Sequence, residues 1–229
     1  MPVFHIPEDE IIFPHPSQAE PDGLLGIGGD LKISRLLLAY QNGIFPWYSE
    51  GEPIMWWCLT PRLILRPKQV VISKSMRSLF RRSFFQVSFD THFKDVMIAC
   101  QNIPRVGQDG TWIHANLISA FCELHDKGLA HSVEVWHNEE LVGGLYGLAI
   151  GKMFCGESMF AKIGNASKFG LICLSQLLVQ KGFELIDCQQ ETPHLKSMGA
   201  ELMNAEDFFN FLEKNKANDF QPAKWNSVI

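Results

Sequence analysis

Leu141-Val142-Gly143-Gly144-Leu145-Tyr146-Gly147-Leu148-Ala149-Ile150, followed after Gly151 by Lys152-Met153-Phe154-Cys155-Gly156-Glu157-Ser158-Met159-Phe160, is the stretch whose reading decides the fold. Both pieces have strand length and an apolar bias, so they predict neighbouring strands. His131 to Trp136 reads as a third strand, joined to them through the polar turn His137-Asn138-Glu139-Glu140. An antiparallel meander is the economical arrangement. Downstream, Asn165 is placed to cap a helix reaching about Lys181, apolar around most of its circumference and therefore deeply buried. Phe183 to Gln189 then reads as another strand.

Working outward, Phe84 to Phe89 predicts a strand, and Phe93 to Cys100 and Ala115 to Lys127 predict helices. A short helix starts at Thr192, and Ala205 to Lys214 forms a last one with Phe208 and Leu212 turned inward. Trp225 is placed to anchor the tail against the body. The first sixty residues are rich in Pro and Gly and hold one helix-like run, Leu31 to Gln41. The expectation is an α+β protein with a small N-terminal domain over residues 1–60 and a larger domain over 61–229. Gly26-Ile27-Gly28-Gly29-Asp30 lacks a following Lys-Ser/Thr and a clear preceding strand, so its glycines are read as a tight turn and not as a phosphate loop.

With 229 residues, 46% of them hydrophobic and 20% charged, the chain has ample material for a packed core. Windows of 18 uncharged apolar residues and a basic leader followed by an apolar run are both missing, so the expected address is cytoplasmic, without membrane contact. The cysteines at 58, 100, 122, 155, 173 and 188 form no close CxxC pair, and the histidines form no HExxH or tight Cys/His cluster. Reduced buried thiols and no metal are the expectations.

The net charge of −5 conceals a segregated distribution. Residues 1–52 carry eight acids against Lys32 and Arg35, whereas residues 53–89 carry no acid and seven bases, Arg62, Arg66, Lys68, Lys74, Arg77, Arg81 and Arg82. Such a run needs a counter-charge, from the acidic N-terminal part or from an external polyanion. Ser73 is suited to cap a helix that turns Met76, Leu79 and Phe80 inward and aligns Lys74, Arg77 and Arg81 on one outer face. That face suits phosphate contacts, the role expected of all seven bases if the polyanion is a nucleic acid, and equally a solvated basic helix.

The motifs Gly43-Ile44-Phe45-Pro46-Trp47, Trp56-Trp57, Gly110-Thr111-Trp112-Ile113, Phe154-Cys155-Gly156-Glu157-Ser158-Met159-Phe160, Asn165-Ala166-Ser167-Lys168 and Leu185-Ile186-Asp187-Cys188-Gln189 occur in order. With Gly23-Leu24-Leu25 and Gly28-Gly29-Asp30-Leu31, they make the chain resemble the bacterial leucyl/phenylalanyl-tRNA-protein transferases over roughly residues 13 to 215. The resemblance implies an N-acetyltransferase-like catalytic domain. It also implies transfer of Leu or Phe, with Met as a further donor, from aminoacyl-tRNA to proteins beginning with Arg or Lys, marking them for degradation. No cofactor, no DNA and a monomer go with that expectation. A coenzyme-A-dependent N-acyltransferase and a non-catalytic RNA-binding adaptor are the rivals; against the first, no glycine-rich turn precedes the helix at 165.

Asp187 and Gln189 lie two apart on a strand, which by alternation aims them the same way, either as a satisfied polar pair or as site residues. By resemblance, Gln189 contacts the incoming amine, Asp187 orients it and secondarily takes its proton, and Glu157 helps to place the basic acceptor. The resemblance also implies a donor side-chain pocket from Leu145, Phe154, Met159, Leu171, Leu174, Leu178 and Ile186, positions that spacing alone would read as core. For Met159 to share a face with Phe154, alternation must break near Gly156. Trp47 and Trp112 are buried structural tryptophans on one reading and, by resemblance, a clamp for the terminal adenine.

Overall fold

The computed structural model describes residues 3–104, 111–218, 221–225 and 227–228. Gly110, part of one motif above, lies outside them. A first sheet is built from β1 (Phe4–Ile6), β2 (Leu24–Gly28), β3 (Phe45–Pro46) and β4 (Met55–Trp57), in the order β1-β2-β4-β3, with α1 (Ile33–Gln41) between β2 and β3. After it come β5 (Arg62–Leu65), α2 (Lys74–Arg81), β6 (Gln86–Phe89), α3 (Phe93–Asn102), α4 (Ala115–Asp126), β7 (Ala130–His137), β8 (Glu140–Ile150) and β9 (Met153–Ala161). The chain continues through α5 (Ala166–Gln180), β10 (Leu185–Gln189), α6 (Pro193–Ser197), β11 (Glu201–Met203), α7 (Ala205–Lys216) and β12 (Ser227–Val228). The second sheet runs β11-β5-β10-β9-β8-β7-β6-β12 and is antiparallel at every pairing except β10 with β9. The protein is therefore α+β, with the expected meander in β7, β8 and β9.

Alternation divides the large sheet into two buried faces. Leu145, Ala149, Phe154 and Ile186 face α5, while Tyr146, Leu148, Cys155 and Leu185 face α1, α3, α4 and the small sheet. The latter core is continuous from Ile6 and Leu36 to Phe121 and Leu185, so the small sheet is packed onto the large one. Since both faces are covered, the central strands can be apolar on both sides. α5 lies against β7, β8 and β9 with little of its surface free, which accounts for its nearly uniform apolar composition.

Three local expectations are corrected. Gly26, Ile27 and Gly28 belong to strand β2, and the turn comes only at Gly28 and Gly29, whose φ values of 109° and 71° suit glycine. Asn165 precedes α5 in the left-handed conformation, at φ 73°, and its side chain makes no capping hydrogen bond. Arg62–Leu65, read as the start of a basic surface segment, is instead a fully buried strand between β10 and β11. The tail anchor does form: the Trp225 ring stacks on His131 at 3.6 Å, and its backbone N–H donates to Asp90 Oδ2 at 2.6 Å.

Candidate active site

The site arises where two neighbouring strands separate. β10 and β9 pair from Leu185–Met153 to Asp187–Cys155 and then part. On β9, Gly147 of β8 faces Gly156 while Tyr146 faces Ser158, which leaves Glu157 as an extra residue, a β-bulge. This is the break in alternation that a shared face for Phe154 and Met159 requires. Gly147 suits the spot, because a methyl group there would collide with the Cys155 carbonyl. On β10, the register slips between Asp187 and Gln189. Gln189 has φ 54°, and the Gln190 N–H donates to the Cys188 carbonyl at 2.7 Å, closing a three-residue turn around it.

Between the parted strands opens a cavity of about 850 Å³. Leu145, Phe154, Met159, Leu171, Leu174 and Ile186 line it, and so do Glu157, Gln189, Trp47 and Trp112. Leu178 and Asp187 do not. Leu178 is buried one turn further along α5, within the core. Trp47 packs against Trp57 at 5.6 Å between ring centroids, and the Trp57 Nε1–H donates to the Trp47 carbonyl at 2.7 Å, so its position is set from behind.

Asp187 and Gln189 do not point the same way, because the slip and the left-handed turn break the alternation between them. The Asp187 carboxylate is buried beneath the cavity, where Arg62 donates from Nε to Oδ1 and from Nη2 to Oδ2, both at 2.7 Å. The Gln189 backbone N–H donates to the same Oδ1 at 3.0 Å. The Gln189 side chain instead enters the cavity, its Nε2 lying 3.4 Å from Glu157 Oε1. Burial pushes the Glu157 carboxyl up to about 8; the Tyr40 hydroxyl partly offsets this, and the Asp187 charge adds to it. Glu157 therefore lines the cavity as a carboxyl held well above the ordinary carboxylate range. Burial drives the thiols of Cys155 and Cys188 far above their ordinary range, which makes both poor nucleophiles.

The cavity is thus largely apolar, with the polar groups of Glu157, Gln189, Gln190 and His194 and two tryptophans in its lining, an arrangement that suits an uncharged side chain held beside polar groups. Residues 64–213 match the family model described as leucyl/phenylalanyl-tRNA protein transferase, and residues 29–65 match that of its N-terminal domain. The chain belongs to this family. It is accordingly an aminoacyltransferase. A leucyl/phenylalanyl-tRNA–protein transferase of Flavobacterium johnsoniae is 50% identical over 204 residues, covering 89% of this chain and 96% of that one. Those of Syntrophobacter fumaroxidans, 51% identical with 94% and 92% covered, and Hydrogenovibrio crunogenus, 48% identical with 99% and 89% covered, match as extensively. A GCN5-related N-acetyltransferase from Kribbella flavida overlaps loosely, with a TM-score of 0.39 at 8% identity over 72% of this chain and 58% of that one.

The basic segment divides in two. Arg66, Lys68, Lys74, Arg77, Arg81 and Arg82 are exposed, and the Ser73 hydroxyl caps α2 by accepting from the Met76 N–H at 3.3 Å. Arg66 also pairs with Glu201 at 3.1 Å. Arg62 is the correction: only 1% exposed, it cannot reach a tRNA phosphate and serves as the partner of Asp187. Its position at the head of the apolar run Leu63-Ile64-Leu65 was the available signal, since a lone charge leading a buried strand needs a buried counter-charge. Sequence reasoning also missed Tyr40, the neighbour of Glu157, and His194, which lines the cavity and whose pKa burial lowers, assisted by Lys168. Among the described residues, no group of three or more His, Cys, Asp or Glu side chains could hold a metal ion, and no helix is long and apolar enough to cross a membrane.

Proposed function

We propose that this chain transfers Leu or Phe, and Met as a further donor, from aminoacyl-tRNA to the N-terminal α-amine of proteins beginning with Arg or Lys. The observation that carries the reading is the cavity between β9 and β10, which is apolar around Leu145, Phe154, Met159, Leu171, Leu174 and Ile186 and has Glu157 and Gln189 at its edge. An aminoacyl ester is already activated, so a catalyst need only hold it, admit an amine and stabilise the oxyanion. The amine nitrogen bonds to the ester carbonyl, the bond from that carbon to the ribose oxygen breaks, and the proton lost by the amine balances the departing ribose oxygen. No cofactor is needed.

In this reading the donor side chain fills the apolar part, Trp47 and Trp112 hold the terminal adenine, and Gln189 contacts the amine. Glu157, ionising against a cationic first residue, supplies the preference for Arg or Lys. Asp187 acts through orientation and charge rather than proton transfer, since its oxygens are engaged by Arg62 and the Gln189 backbone. The protein is proposed to act as a cytoplasmic monomer that marks acceptors for degradation, without DNA or membrane partners. The test is to offer charged Leu-tRNA and Phe-tRNA to peptides beginning with Arg, Lys, Ala or acetyl-Arg, and to locate any new amide by mass spectrometry. Addition to the Arg and Lys peptides alone is the expected result. Transfer from an acyl-coenzyme A instead, or tRNA binding without transfer, would replace this reading with one of its rivals.

Two variants probe the substrate surfaces. Leu174 is fully buried and borders the cavity, so Leu174→Phe should reduce Phe transfer more than Leu transfer by removing volume from the donor pocket. Competition between the two charged tRNAs reads this out, and equal losses with a lower melting temperature would mark Leu174 as plain core. Lys74, Arg77 and Arg81 are assigned to tRNA phosphates. Neutralising all three should flatten the slope of log affinity against log salt by about 0.7 to 0.9 per lost contact. An unchanged slope would move the tRNA surface elsewhere.

A further inference from the structure

The backbone at Gln189 occupies a conformation that a non-glycine residue adopts only when its surroundings impose it. Its φ of 54° lies in the left-handed region, inside a three-residue turn closed from Gln190 N–H to the Cys188 carbonyl at 2.7 Å. Isolated, such a turn would relax toward extended strand, and β10 would continue beside β9 past Asp187. What opposes relaxation is one oxygen. Asp187 Oδ1 accepts from the Gln189 N–H at 3.0 Å and from Arg62 Nε at 2.7 Å, while Oδ2 accepts from Arg62 Nη2 at 2.7 Å. The carboxylate is thereby fixed in plane by a two-pronged partner, and its free lone pair is directed at the turn.

Arg62 is itself clamped. Its guanidinium carbon lies 5.1 Å from the centroid of Phe45, a residue of β3 that lines the cavity, and 4.9 Å from that of Phe208 in α7. The ion pair thus joins the first sheet, the last helix and the two strands β5 and β10. Burial works against the Arg62 charge, and Asp187 outweighs it, so the guanidinium stays ionised.

We propose that Arg62 is a positioning residue of the transfer reaction: through Asp187 it holds the strained Gln189 turn, which keeps β10 away from β9 and aims the Gln189 side chain into the cavity. The proposal rests on the transfer reading above for its kinetic consequence, but not for its geometric one. It explains why a charge pair is present where two apolar side chains would pack as stably.

That equivalence supplies the test. Replacing both partners, Arg62→Met with Asp187→Met, removes the pin without stranding a buried charge. The double variant should unfold within a few degrees of the parent, bind aminoacyl-tRNA within a few fold and lose about 10²-fold in single-turnover transfer, as expected when a reacting group is misplaced by an ångström. Its crystal structure should show Gln189 at negative φ with β10 drawn toward β9. Gln189 remaining left-handed, or transfer within about threefold of the parent, would overturn the proposal. If the double variant does not fold, Arg62→Lys keeps the charge but not the two-pronged grip. It should then lower kcat while leaving the KM for aminoacyl-tRNA unchanged, and parental kcat would overturn the proposal. Should the parent itself fail to transfer, the functional reading falls, and the φ of Gln189 in the double variant still decides the positioning role.

Discussion

Asp187→Asn should lower the melting temperature by about 6 to 20 °C and single-turnover transfer by on the order of 10²-fold. The thermal effect follows from the surroundings of Arg62, which is buried between Phe45 and Phe208 with its Nε–H and Nη2–H both donated to Asp187. Removing one member of a buried ion pair costs about 3 to 5 kcal/mol, because the remaining charge keeps its desolvation penalty and loses its compensation. The kinetic effect has a different origin. An asparagine oxygen in the place of Oδ1 could still accept from Arg62 Nε and the Gln189 N–H, but its NH2 group would face the Arg62 Nη2 donor in place of Oδ2, so the two-pronged grip on the turn is lost. It also carries no charge to favour the cation that develops on the attacking amine. Rates measured well below the lowered melting temperature separate the two effects, and aminoacyl-tRNA affinity should remain within a few fold. Acceptors of graded amine pKa should all lose equally, since a carboxylate occupied by three donors is not free to accept a proton. A smaller loss for the less basic amines would restore a proton-transfer role. An unchanged melting temperature would contradict the buried pair itself.

Glu157→Gln should remove a pH dependence expected of the parent in both stability and activity. The folded protein holds the Glu157 carboxyl at about 8 against an ordinary 4.5, so between those values it binds a proton that the unfolded chain has released. Its contribution therefore makes stability fall as pH rises from about 4.5 to about 8, by at most about 1.4 kcal/mol per pH unit, and leaves it level outside that window. Melting curves of parent and variant across the window should diverge in slope. For activity, the ionised form is the one that pairs with a cationic acceptor, and kcat/KM reports the free enzyme's titration. The ratio of parent to variant kcat/KM for an Arg-initiated peptide should rise from near unity at low pH to roughly 30-fold or more above pH 8, corresponding to about 2 kcal/mol for a buried charge pair. Taking the ratio cancels the titration of the acceptor amine, common to both proteins. A ratio flat with pH would show that Glu157 does not titrate in this window or does not meet the acceptor.

Much of the fold was legible because its causes are local. The strand-length apolar runs of β7, β8 and β9, the all-round apolar surface of α5 and the Ser73 cap of α2 are written in adjacent side chains, and the structure contains each of them. Even the bulge at Glu157 could be anticipated, since Phe154 and Met159 cannot share a strand face without it. The family was legible for the same reason, as its motifs are contiguous runs.

What the tertiary structure alone decided is which charges meet. Arg62 and Asp187 are 125 residues apart, and although the apolar run after Arg62 hints at a buried charge, nothing in the neighbourhood of either names the other as its partner. β5 was hidden because four residues are too few to display a period, and its partners β10 and β11 come more than a hundred residues later. Asn165 had the composition of a cap, but its backbone entered the left-handed region and its side chain was not used as one. The parity of Asp187 and Gln189 followed from an unbroken strand, whereas the strand is broken there by the turn that opens the cavity. Side-chain chemistry and periodicity thus determined the elements and the family. The chain's return on itself determined the site, because desolvation and ion pairing depend on neighbours that only folding brings within reach.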